Sequence, residues 1–196
     1  MMVKIIKRNL FRENQIYNFY LDHLIDNQGN EVKEYFVVEP KKLSEDRVAG
    51  VAVLPIVDGQ IGLLEIFRPA MQQLCWEIPH GLINEFESAK TAAARELREE
   101  TGIFAKEDEL VPLGEVAPDT GIIGAKLNLF YVQNQFPINE QLSELGLGKF
   151  KLFSLEEVQI MIKNSVIFDS ITLVAVFRYL NLIGNINWSI TNHHKV

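Results

Sequence analysis

The sequence predicts an α+β fold. Three observations carry that prediction. Runs of branched and aromatic residues separated by turn clusters fill most of the first half. One alanine-rich helix stands in the middle, and the last third holds two capped helical segments. Strands and helices do not alternate one for one, as βαβ repeats would require.

Taken in order, VKIIKR (3–8) and IYNFYLDHLI (16–25) read as strands. The cluster DNQGN (26–30) is a turn, and EVKEYFVVEP (31–40) is its partner strand. PKKLSED (40–46) is polar and links this hairpin to the main body. VAGVAVLPIV (48–57) and QIGLLEIF (60–67) flank Asp58-Gly59, a two-residue hairpin signal because both turn positions need positive φ. RPAMQQLCWEIPHG (68–81) reads as a loop leading into a short apolar piece. SAKTAAARELREET (88–101) is the clearest helix: Ser88 is an N-cap residue, Ala89, Ala92, Ala93 and Ala94 favour helix, and Gly102 suits its C-terminal end. ELVPLGEVA (109–117), KLNLFYVQN (126–134) and KFKLFS (149–154) read as strands. Ser154-Leu-Glu-Glu has the form of a capping box, and either Asp169 or Ser170 can cap the final helix, 170–182.

The chain has 196 residues, 47% of them hydrophobic, enough to bury one full core and to disfavour general disorder. Its net charge of −7, without a run of Lys or Arg, disfavours nucleic acid and anionic membranes as partners. The single cysteine, Cys75, allows no internal disulfide and reads as a small buried hydrophobe. Neither a signal peptide nor an apolar run long enough to span a bilayer is recognisable, so a soluble cytoplasmic protein is the expectation. The organisation expected is an N-terminal strand region (1–46), a main domain (47–185) and a tail (186–196).

The central helix carries an anomaly. Glu96 shares a face with both Glu99 and Glu100, and carboxylates about 5 Å apart repel by about 3 kcal/mol at an effective dielectric of about 20. A divalent cation reverses the sign of that interaction, and Mg²⁺ takes one or two carboxylates together with substrate phosphates. A solvated face balanced by Lys90, Arg95 and Arg98 is the alternative.

The surrounding spacing favours the metal. Gly81, five residues, Glu87, seven residues, and then Arg95-Glu96-Leu97-Arg98-Glu99-Glu100-Thr101-Gly102-Ile103 resemble the full Nudix box, with every fixed position matched. IFRPAMQQLCWEIPHGLI (66–83) and Pro118 are similar to the flanks of the box in ADP-ribose and ADP-sugar pyrophosphatases. The resemblance implies a Nudix α/β/α sandwich around a mixed sheet, preceded here by antiparallel strands. It implies hydrolysis, with Mg²⁺ or Mn²⁺, of a nucleoside diphosphate linked to a further group such as a sugar. GDP-mannose, dinucleoside polyphosphates and a non-catalytic nucleotide sensor stay open as alternatives.

Carried onto this chain, the resemblance makes Glu96 and Glu100 the principal metal ligands, with Glu99 close by and the His80 carbonyl as a further ligand. Most relatives have alanine where His80 stands, and its side chain is expected to face solvent, with contact to substrate as the alternative. Arg95 is expected to orient Glu87, while Gly81 and Gly102 shape the loops at the two ends of the helix. Arg68 is expected to contact the diphosphate and Glu77 to bind substrate or support its binding. The general base is Glu99, Glu100 or, on a later loop, Glu144, with Glu140 behind it. Gly124 and Ala125 stand where relatives often carry an acid. Tyr17, Tyr20 and Tyr35 are available to stack on a base, and the N-terminal strands are expected to build a homodimer.

Overall fold

The computed structural model describes residues 2–134 and 147–184. Glu140, Glu144 and the tail from 186 lie outside them. Strands β1 (Lys4–Glu13), β2 (Tyr17–Ile25) and β3 (Glu31–Pro40) form an antiparallel sheet in the order β1-β2-β3. The first strand runs five residues beyond the end expected, because its ladder with β2 continues to the pair Glu13 and Asn18.

The main sheet holds β4 (Val48–Val57), β5 (Gln60–Arg68), β6 (Gln73–Glu77), β7 (His80–Leu82), β8 (Val111–Val116), β9 (Lys126–Asn134) and β10 (Leu147–Phe153). Its order is β10-β5-β4-β9-β8, with β6 paired to β5 and β7 paired to β4. It is mixed, because β4 runs parallel to β9 and antiparallel to β5. The turn between β4 and β5 has φ 49° at Asp58 and 77° at Gly59, as a two-residue hairpin of this kind requires.

Every residue of β4 is buried, so the strand is covered on both faces. Its side chains alternate as strand geometry dictates. Val51, Val53 and Val57 pack with Ala92, Ala93 and Leu97 of helix α1 (Ala89–Thr101). Ala52, Leu54 and Ile56 face Val158 of α2 (Leu155–Lys163) and Ile171, Ala175 and Val176 of α3 (Ser170–Leu182). Each Val, Leu or Ile among them contributes roughly 1.5–3 kcal/mol on burial. The result is a helix–sheet–helix sandwich, as expected.

The caps follow the sequence. Ser88 Oγ accepts from the Thr91 N–H at 3.0 Å, and Gly102, with φ 72°, donates its N–H to the Arg98 carbonyl at 2.9 Å. Ser154 and Glu157 form a reciprocal capping box, and Asp169, not Ser170, caps α3. The loop expected over 68–81 is instead a tight turn followed by β6 and β7. That turn uses positive φ at Gln72, a residue that gives no turn signal in sequence. Glu109, placed in a strand by its sequence, closes a 3-10 turn before β8.

Candidate active site

Pairing of β7 with β4 sets His80 opposite Ala52 and Gly81 opposite Val51, beneath the inner face of α1. Glu96 and Glu100 point from that face towards β7, and both are buried. The Glu96 carboxylate lies against Gly81, where any Cβ would collide with it. Glu100 Oε2 accepts the backbone N–H of His80 at 3.0 Å. Two acids one helical turn apart thus converge on consecutive residues of one short strand.

Arg95 holds the outer side together. Its Nε and Nη2 donate to the two oxygens of Glu87 at 2.9 and 3.0 Å, and Nη2 also donates to the Leu82 carbonyl at 2.9 Å. Its Nη1 donates to Glu96 Oε1 at 2.7 Å and to Glu99 Oε2 at 3.1 Å. The two-pronged bond from Arg95 lowers the Glu87 carboxyl below its ordinary range, and Glu87 in turn raises the guanidinium of Arg95. Glu87 Oε2 also accepts the Asn84 N–H at 2.9 Å, fixing the loop before the helix. Glu99, about half exposed, sits at the rim.

A second cluster adjoins the first. Arg68 donates from Nε to both oxygens of the buried Glu77 at 3.1 Å and from Nη2 to Oε2 at 2.6 Å. Arg68 Nη2 also lies 2.9 Å from His80 Nε2. A guanidinium can only donate, so Nε2 accepts, and Nδ1–H donates to the Ile78 carbonyl at 2.9 Å. The His80 side chain, expected in solvent, is therefore a largely buried brace for Arg68. The bond to Glu77 raises the Arg68 guanidinium above its ordinary value. Trp76 is partly buried and packs T-shaped with Phe153, and Cys75 is buried as expected.

The donor set fits a hard divalent cation. Glu96 and Glu100 offer carboxylate oxygens beside the residue whose carbonyl is the expected further ligand. Among the described residues no group of three or more His, Cys, Asp or Glu side chains forms a ready metal cage. Such a partial set leaves positions for waters and substrate oxygens to complete the shell of a divalent cation.

A cavity of about 450 Å³, mostly apolar in lining, opens beside His80 and Gly81. Tyr17 lines it. Tyr20 instead lies under the Arg8 guanidinium, and the Tyr35 hydroxyl donates to the Gly121 carbonyl. Gly50 is a site-building residue that was not singled out from the sequence. A Cβ there would stand 2.6 Å from the Gly81 carbonyl oxygen, so only glycine lets β7 close on β4. A glycine inside an otherwise apolar strand is the sequence signal by which it could have been found.

Residues 46–170 match the NUDIX domain model. An ADP-ribose pyrophosphatase of Bacillus subtilis is 26% identical over 182 residues, covering 91% of both chains. An ADP-ribose pyrophosphatase of Saccharomyces cerevisiae is 36% identical over 110 residues, 50% of this chain and 47% of that protein. An uncharacterized Nudix hydrolase of Schizosaccharomyces pombe is 43% identical over 81 residues, 39% of each. The chain thus matches less than half the length of either yeast relative. A solved structure described as an ADP compounds hydrolase superposes with a TM-score of 0.74 at 18% identity, covering 95% of this chain and 98% of that one, and shares the fold. The family model spans more than half of the chain, and the box residues it includes are those gathered around Gly81: the protein belongs to the NUDIX domain family.

Proposed function

We propose that this protein is a Mg²⁺- or Mn²⁺-dependent pyrophosphatase that cleaves the diphosphate linkage of ADP-ribose or a related nucleotide sugar. The products are a nucleoside monophosphate and a sugar phosphate. One observation carries the reading: two buried carboxylates, Glu96 and Glu100, converge on His80 and Gly81 beside an open cavity. The names of the Bacillus and Saccharomyces relatives support ADP-ribose as the first substrate to try.

A bound divalent ion would neutralise the diphosphate and lower the pKa of a coordinated water. Glu96, Glu100 and the His80 carbonyl would hold it. The chain's own residues do the rest. Arg95 keeps Glu87 and the loop before α1 in place, so the two ligand carboxylates stay aimed at β7. Arg68, set by Glu77 and His80, presents a fixed cation beside the cavity for the diphosphate oxygens. Glu99 or Glu100 takes the proton of the attacking water at a carboxylate oxygen. Glu144, the other candidate for that role, lies outside the described residues.

The proposed enzyme is a cytoplasmic homodimer. Exposed Val3, Ile5, Ile6, Leu10 and Phe11 along β1 and its approach support a partner surface there, and light scattering tests it. No helix among the described residues is long and apolar enough to cross a membrane.

The decisive experiment is a panel of ADP-ribose, ADP-glucose, GDP-mannose, dinucleoside polyphosphates and coenzyme A, with Mg²⁺ or Mn²⁺ and products identified by mass. Release of AMP and ribose phosphate from ADP-ribose supports the reading. Cleavage of none of them ends it.

A further inference from the structure

The segment Asp119–Gly124 walls the cavity beside His80 and Gly81 with Ile122 and Ile123, and Ala125 follows directly. It is strapped to β3 by two backbone bonds: Val38 N–H to the Ile122 carbonyl and Gly124 N–H to the Val38 carbonyl, both 2.9 Å. Beside them lies a side-chain lock. Arg47 Nη2 donates to the Gly124 carbonyl at 2.6 Å and to Glu39 Oε2 at 2.6 Å. Glu39 belongs to β3 and also accepts from Arg8 at 3.3 Å, whose guanidinium grips the buried Asp22 at 2.8 Å. One nitrogen of Arg47 thus joins the cavity wall to the N-terminal sheet.

Gly124 makes room for that nitrogen. A Cβ at this position would stand 2.6 Å from Arg47 Nη2, and its φ requires no glycine. The lack of a side chain at 124 is therefore a fit to Arg47, not a turn requirement. Arg47 itself has φ 65°, and its carbonyl accepts from Lys126 N–H at 2.8 Å.

We infer that Arg47 is a substrate-positioning residue: by occupying the space above Gly124 and bridging it to Glu39, it holds Ile122 and Ile123 as the wall against which the apolar, ring-bearing end of the substrate rests. This assignment rests on the pyrophosphatase reading above. It acts on binding and not on the acids of α1, so it moves KM and leaves kcat.

The test uses the full chain as wild type, R47A, R47K, G124A and the double variant R47A/G124A. Hydrogen exchange of peptides covering 119–124 is read against α1 as internal control, and steady-state kinetics are measured on ADP-ribose with Mg²⁺. In G124A the half-exposed end of Arg47 can shift aside, so the change is smaller; in R47A exchange at 121–124 quickens at least tenfold with α1 unchanged. KM rises at least fivefold, and kcat stays within twofold. Because both contacts come from one nitrogen, the lysine of R47K restores KM to within twofold of wild type. The double variant is no worse than R47A. Unchanged exchange in R47A overturns the lock, and faster exchange with unchanged KM overturns its role in binding. Wild type inactive on ADP-ribose defeats the functional reading instead, and the exchange arm then judges the lock alone.

Discussion

The carboxylate of Glu96 fills the space that a side chain on Gly81 would need, although the two residues stand fifteen positions apart. The close approach fixes where one of the two buried acids ends. In G81A the new methyl must push that carboxylate away, and overpacking of this kind costs roughly 1–3 kcal/mol. We expect a Tm lower by roughly 2–12 °C, at about 2–4 °C per kcal/mol for a chain of this size. Turnover should fall at least tenfold. A G81A protein hydrolysing at the wild-type rate would show that Glu96 need not sit where it does.

Glu100 separates charge from shape. Its Oε2 accepts the His80 N–H, and a glutamine at 100 can still accept that bond through its amide oxygen. E100Q should therefore fold with a Tm near wild type while losing a full negative charge from the site. Turnover is expected to drop at least tenfold, which is about 1.4 kcal/mol of barrier. Kinetics and calorimetry on the same sample check it, and near-normal kcat would remove Glu100 from the ligand set.

What was legible in the sequence was what local chemistry determines. The Ser88 and Ser154 caps, the Gly102 stop and the Asp58-Gly59 hairpin each need only a few neighbouring residues, and each is found as expected. The box spacing placed Arg95 beside Glu87 through resemblance. Contacts made by long-range pairing were not legible. β6 was missed because its entry turn uses Gln72 at positive φ, and without β6 nothing brings Glu77 to Arg68. His80 read as a surface residue for the same reason: its partners, Arg68 and the Ile78 carbonyl, meet only once β5, β6 and β7 are folded. Gly124 was visible as a departure from related sequences, but its meaning lay in the Arg47 side chain, 77 residues away.

Glu87 gives the fold a measurable acid sensitivity. Its folded pKa is depressed, chiefly by the bond from Arg95, so it binds its proton less readily folded than unfolded. Its stabilisation is then fully present above the unfolded value of about 4.3 and is lost as pH falls through the lower folded value. E87Q should melt below wild type at pH 7. The gap should narrow steadily as both proteins are brought from about pH 4.5 to pH 3. Melting curves at each pH read it, and a gap that stays constant would mean that the Glu87 charge is not what stabilises.

Divalent-ion binding can be read without catalysis. A ligand that binds only the folded state stabilises it by mass action, by about 2.7 kcal/mol at a hundredfold excess over Kd. For this chain that is a rise in Tm of roughly 5–10 °C. Mg²⁺ should produce such a rise in wild type, and excess EDTA should erase it. In E96Q and E100Q the rise should vanish, because each loses an anionic oxygen donor from the buried pair. E99Q should keep most of it, since Glu99 sits half exposed at the rim, tied to Arg95. R68A should keep it too, because Arg68 supplies no oxygen and is held by Glu77 and His80. An unshifted wild-type Tm at millimolar Mg²⁺ with no nucleotide present would move the ion's main ligands onto the substrate. A shift equal to wild type in both E96Q and E100Q would move them off this pair of acids.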